Sequence, residues 1–205
     1  MSVVLTLGVL ASATWAVAGL VLLRAEARAY GSRALHAAPA GDPAAGVRYA
    51  FTGAMSPGAK ESVREHLPSY FAGLAYHGGI FTALGLLLLA LCDVALPGRI
   101  LMGARILLGL GVLGGLGLLL KRLLKPELRR LSHPDDVVSN LLATAFVALA
   151  LTGPVTAWML SAMLLLIYVP LGKIRHCLFF FVARRHLGAF FGRRGVFPPG
   201  GAHVR

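Results

Sequence analysis

Residues 69–91 read SYFAGLAYHGGIFTALGLLLLAL, twenty-three positions without a formal charge. At 1.5 Å per residue such a helix covers about 35 Å, enough to cross the roughly 30 Å hydrocarbon core of a bilayer. Four more runs of this kind surround it. Ser2 to Leu23 is uncharged up to Arg24, and Ile100 to Leu120 carries one charge, Arg105, near its start. Val137 to Gly153 and Val155 to about Val182 share a Thr152-Gly153-Pro154 turn. Proline cannot continue a helix and glycine permits the reversal, which makes these two runs a hairpin. Across the 205 residues 57% are apolar and 14% charged, and the mean hydropathy is +0.75. A soluble domain carries about a quarter charged residues, and a disordered chain is poor in large aliphatic side chains. The sequence therefore reads as an all-α, polytopic membrane protein with five transmembrane helices, about 2–23, 69–91, 100–120, 137–153 and 155–182.

Charge sets the expected topology. A formal net charge of +12 could suggest nucleic acid. Membrane proteins collect Lys and Arg on the cytoplasmic side in any case, and no nucleic-acid partner is expected. Of twenty basic residues, six fall in 24–68, five in 121–136 and seven in 172–205, which leaves only Arg99 and Arg105 elsewhere. That alternation predicts a periplasmic N-terminus and a cytoplasmic C-terminus. The first run lacks the positive charge that precedes the apolar stretch of a cleaved leader, so a retained helix is expected. The domain reading is a membrane domain over 1–183, with a cytoplasmic loop at 24–68, followed by a basic cytoplasmic tail over 184–205. Within the loop, 31–58 is rich in Ala, Gly and Pro and reads as a docking or linker segment, and Lys60 to His66 as a short surface helix.

Two motifs have structural readings. Gly109, Gly111 and Gly114 match the dinucleotide fingerprint, but that mechanism needs a strand, a turn and a helix N-terminus, and these glycines lie inside an apolar run. Close helix packing through Gly111 and Gly115 is the better account. Ser132-His133-Pro134-Asp135 reads as a helix start, with Ser132 and Asp135 in a capping-box arrangement.

Five of the seven histidines, His36, His66, His133, His186 and His203, fall in loops, at interfaces or in the tail. His77 and His176 lie inside expected spans, where a titratable ring is a functional candidate by default. His77 is 16 residues, about 24 Å, from Asp93, and His176 is 22 residues, about 33 Å, from Pro154. Both depths fall in the cytoplasmic half, within what tilt and overhang absorb. Two imidazoles facing one another across a bundle are a means of holding haem iron from both axial sides. Gly73, Gly78 and Gly79 would make room for the macrocycle, and Lys173 and Arg175 could pair with its propionates. Interhelical hydrogen bonding is the plainer reading of the same two rings.

Taken together, these strings resemble the membrane gamma subunit of respiratory nitrate reductases and its relatives in sulfur-metabolism and heterodisulfide-reductase-type complexes. The likeness runs through Ala75-Tyr76-His77-Gly78, the glycine-rich third helix ending in Leu120-Lys121-Arg122, the segment Leu131 to Asn140 opening helix four, and Pro170-Leu-Gly-Lys-Ile-Arg-His176. The resemblance implies a cytochrome b subunit in a bacterial or archaeal inner membrane, moving electrons between membrane quinone and a cytoplasmic iron–sulfur protein. Members usually hold two haems, with a second histidine ten residues after the first on helix two and another eighteen before the last on helix five. Here those positions are Leu87 and Trp158. The resemblance therefore implies one haem b, held by His77 and His176 as axial ligands to iron. Quinone chemistry is a weaker implication, because the outer haem beside which quinol is oxidised is the one removed. Arg184, Arg185, Arg193 and Arg194 would face the partner or anionic lipid.

Two rival readings belong to other classes. One is a haem-free anchor that tethers a redox enzyme. The other is a small transporter or proton conductor with His77 as a relay, disfavoured because all eight acidic residues lie outside the expected spans or at their ends.

Overall fold

The computed structural model describes residues 2–31, 38–59 and 61–200; His36, Lys60 and His203 lie outside them. The described residues form helices and turns, with no strand among them. Four helices are long and apolar enough to cross a membrane: α1 (Val3–Ala29), α4 (Leu67–Leu91), α5 (Gly98–Leu124) and α7 (Pro134–Thr152). The broken pair Val155–Tyr168 and Lys173–Arg193 makes five if it forms one span. Only 17% to 28% of the most apolar window of each of the four is buried inside the protein, so most of that surface needs an apolar solvent of its own. These apolar helices mark a multi-pass membrane protein.

The chain divides into two compact units, one of residues 1–22 and 68–174 and one of residues 23–67 and 175–205. In the first, close packing follows from missing side chains. A methyl group added at Gly79 of α4 would stand 2.6 Å from the Gly111 Cα of α5, and one at Gly114 would meet the Ala72 carbonyl oxygen at the same distance. Backbones this close exchange van der Waals contact along their length, which drives helix association where no water remains to be expelled. Gly115 is crowded by Tyr76 and by Thr144 of α7, and Asn140 Nδ2 donates to the Gly115 carbonyl at 3.2 Å. The third helix thus uses its glycines for contact, with α4 on one side and α7 on the other.

The fourteen-residue α8 (Val155–Tyr168) returns antiparallel to α7, and Phe146 and Trp158 stack at 6.4 Å between ring centroids in the core, with Met159 fully buried nearby. Helix α1 lies along α8. Trp15 Nε1 donates to the Ile167 carbonyl at 3.0 Å, and Gly8 and Gly19 approach Met163 and Pro170 in turn. The α4 helix ends with Asp93 in the left-handed region at φ 55°, and the Val94 amide closes the terminus on the Leu89 carbonyl at 2.9 Å.

Two local features differ from the sequence expectation. Helix five does not run on to residue 182: it stops at Tyr168, and a new helix, α9 (His176–Arg193), starts after one 3-10 turn over Lys173–Arg175. Pro170 has no amide to donate, and the Leu171 and Gly172 amides both turn back onto the Tyr168 carbonyl at 3.0 Å. Residues 184–193 form the second half of α9. The start of α7 is offset by one residue. The N-cap is His133, whose Nδ1 accepts from the Asp135 amide at 3.3 Å while Asp136 accepts from the His133 amide at 2.9 Å. Pro134 occupies the first helical position, where its fixed φ suits the helix and its missing amide is no loss. That places the cap on His133 instead of Ser132.

The second unit is a helical hairpin joined at a distance in sequence. Helix α2 (Pro43–Phe51) is capped by Asp42, which accepts from the Ala44 and Ala45 amides at 2.8 and 3.1 Å. It packs on α9 through Gly46, Gly188 and Gly192, where added side chains would strike opposing backbone. Arg184 is 9% exposed, yet it has carbonyl partners: Nε donates to Ala50 at 2.8 Å and Nη2 to Ala54 at 3.1 Å. A short helix, α3 (Glu61–Arg64), follows two 3-10 turns in the region where a surface helix was expected.

Candidate functional site

Helix α4 has two unlike faces. Tyr76, Gly79, Ala83 and Leu87 recur every three or four residues and are buried against α5 and α7. His77 is one residue, or about 100°, away from Tyr76 and is exposed. Its Nδ1 lies 2.8 Å from the Gly73 carbonyl. A carbonyl only accepts, so Nδ1 carries the proton in this bond. The bond fixes the orientation of the ring on the backbone of its own helix. The glycines divide by role. An added side chain at Gly73 or Gly78 would meet nothing within 4 Å, whereas Gly79 is closed by Gly111. The surface beside the imidazole is therefore open at Gly73 and Gly78, and Phe81 borders it at 6.3 Å between ring centroids.

Behind His77, the Tyr76 hydroxyl donates to the Asn140 carbonyl at 2.9 Å and meets Thr144 Oγ1 at 3.0 Å, and Thr144 in turn reaches Asn140 Oδ1 at 3.2 Å. These bonds pin α4 to α7 and so hold the rotation of α4 that turns His77 outward. The network was missed in the sequence. Its signal was there: Asn140 and Thr144 are four apart, hence on one face of an apolar helix.

The remaining candidates lie at the end of α8 and beyond. Lys173 Nζ donates to Asp136 Oδ2 at 2.7 Å, and Arg122 approaches the same oxygen at 3.5 Å. The neighbouring acid, Asp135, accepts from the Tyr168 hydroxyl at 2.5 Å and from Ser139 at 2.8 Å. Lys173, expected beside propionates, thus has a carboxylate partner within the chain. Arg175 is the exposed N-cap of α9, and His176 is its exposed first residue. His77 belongs to the first unit and His176 to the second.

Among the described residues, no group of three or more His, Cys, Asp or Glu side chains could hold a bare metal ion. The chain matches no family model, no curated protein and no solved structure.

Proposed function

We propose that this protein is the membrane-anchoring cytochrome b subunit of a quinone-linked oxidoreductase complex, in which His77 and His176 would hold one haem b. The observation that carries the reading is the His77 imidazole, with Nδ1 tied to the Gly73 carbonyl beside an open surface at Gly73 and Gly78. A haem brings four pyrrole nitrogens, so it asks the protein for axial ligands and a flat space, not for a cluster of three side chains. The His77 ring with Gly73 and Gly78 fits that demand, whereas Gly79 is taken up by Gly111.

When bound, the iron supplies one-electron redox chemistry, and the protein's part is ligation, burial and orientation. His77 and His176 would hold it. Arg175 offers a charge to a propionate, and Lys173 adds one it already shares with Asp136. Leu87 and Trp158, which stand where the nitrate-reductase-gamma-like pattern has a second ligand pair, are both buried in one apolar core, and this supports one haem instead of two. The orientation proposed from the basic residues is N-terminus periplasmic and C-terminus cytoplasmic, in a bacterial or archaeal inner membrane. A cytoplasmic iron–sulfur protein and membrane quinone are the electron partners that go with this reading.

The test is a reduced-minus-oxidised spectrum with haem quantified per chain, for the wild type and for His77→Ala and His176→Ala. One b haem per chain, lost in both variants, is expected. A wild-type protein purified from haem-replete cells with no Soret band would overturn the reading in favour of the haem-free anchor, and two haems per chain would overturn the ligand assignment.

A further inference from the structure

The second unit carries a surface that its own packing leaves open. At 3.6 residues per turn, Arg184, Gly188 and Gly192 form one stripe of α9, and this stripe is spent on α2. About 120° around the helix runs a second stripe, Phe180, Ala183, Leu187 and Phe190, in steps of three, four and three. Phe180 is 40% and Leu187 43% exposed, too much large apolar surface for water to cover without cost. The remaining arc carries the basic residues, with Arg185 and His186 exposed and Arg193 partly so, among the half-buried Leu178, Phe179, Val182 and Ala189. Arg194 lies over the Phe190 ring at 4.0 Å, which sets a cation at the edge of the apolar stripe.

The charge is one-sided. From Arg175 to the last residue there are six arginines and no acid. Among the described residues, no carboxylate lies within ion-pair distance of Arg185, Arg193 or Arg194, and Arg193 Nε is buried without an acceptor. We infer that α9 is an interfacial helix, its Phe180–Phe190 stripe set into the acyl boundary and its arginines on the phosphates of anionic phospholipid. Exposed apolar and basic side chains carried together on a helix of low net hydrophobicity suit a place at headgroup level. Anionic lipid supplies both complements at once: a negative surface for the arginines and hydrocarbon for the phenylalanines. Only seven residues, 169–175, separate α8 from α9 along the chain. The inference does not depend on haem.

The full chain, with Cys92→Ser, Cys177→Ser and Leu187→Cys, is labelled at residue 187 with an environment-sensitive fluorophore. It is placed in nanodiscs of phosphatidylcholine alone or of equimolar phosphatidylcholine and phosphatidylglycerol, and quenched with neutral acrylamide. Acrylamide access is expected to fall in the anionic discs, and Arg185→Gln with Arg194→Gln to return it toward the neutral value, each arginine contributing on the order of fivefold to the docked population. A label at Ala183, on the same stripe, provides the same readout should Leu187→Cys disturb the hairpin. Equal access in both discs overturns the inference. So does protection that is already complete in detergent, which would mean protein covers the stripe, or protection that comes only with an added soluble protein.

Discussion

Lys173 and Asp136 meet at 2.7 Å, joining the turn after α8 to the first turn of α7. Asp136 also accepts from the His133 amide and attracts Arg122, and its side chain is 13% exposed where that of Lys173 is 48%. The two partners are therefore unequal in energy. An exposed ammonium contributes little through the pair itself, below about 1 kcal/mol. A largely buried carboxylate that also caps a helix contributes more, about 2 kcal/mol.

Asp136→Asn should accordingly lower the thermal midpoint of the detergent-solubilised protein by several degrees, and Lys173→Gln by much less. Thermal unfolding followed by circular dichroism checks the order of the two. Equal losses would mean that the ion pair, and not the helix cap, is the main contribution of Asp136.

The α4 glycines should separate stability from cofactor retention. Gly79→Ala drives a methyl into the Gly111 backbone, which cannot move as a flexible side chain could, at a cost of about 1 to 3 kcal/mol. Gly73→Leu and Gly78→Leu enter open space and should leave the thermal midpoint near wild type while lowering haem per chain. Haem content and midpoint, measured on the same preparations, check both halves.

Tyr76→Phe removes one hydroxyl that serves both Asn140 and Thr144. Hydrogen bonds between membrane helices contribute about 0.6 to 2 kcal/mol, and a loss of that size is expected. Thr144→Val in the Tyr76→Phe background should cost less than it does alone, because the shared bond is already gone; a double-mutant cycle of unfolding free energies tests this.

Arg175→Gln and Lys173→Gln should differ in a redox titration. Arg175 is exposed and makes no ion pair among the described residues, whereas Lys173 is shared with Asp136. The haem potential is expected to shift more on replacing Arg175, since removing a cation near a propionate favours the oxidised, more positive iron. Unchanged potentials in both variants would remove the propionate role from this segment.

The long apolar helices were legible along the chain, and so was the glycine contact of α5. The end of the last apolar run was not. Residues 155–182 are apolar almost throughout, and the composition of Phe179, Phe180 and Phe181 suits a bilayer core as well as it suits a helix following a break. What separates the two is the turn at Pro170 and Gly172, closed on the Tyr168 carbonyl. The cap of α7 was legible as a cap, but its register rested on whether Ser132 or His133 turned inward.

The site was legible as residue types and not as directions. His77 was identifiable because an imidazole in an apolar run has an energetic cost whatever its neighbours do. Sequence alone determined the apolar runs and the lopsided charge, because transfer into a bilayer is close to a sum over residues and needs no partner. Tertiary structure alone decided that Gly79 closes on Gly111 while Gly73 and Gly78 stay open, and that Lys173 reaches Asp136. Those outcomes depend on the rotation of α4 about its axis and on contacts between residues far apart in sequence, both set only when α4, α5 and α7 pack together.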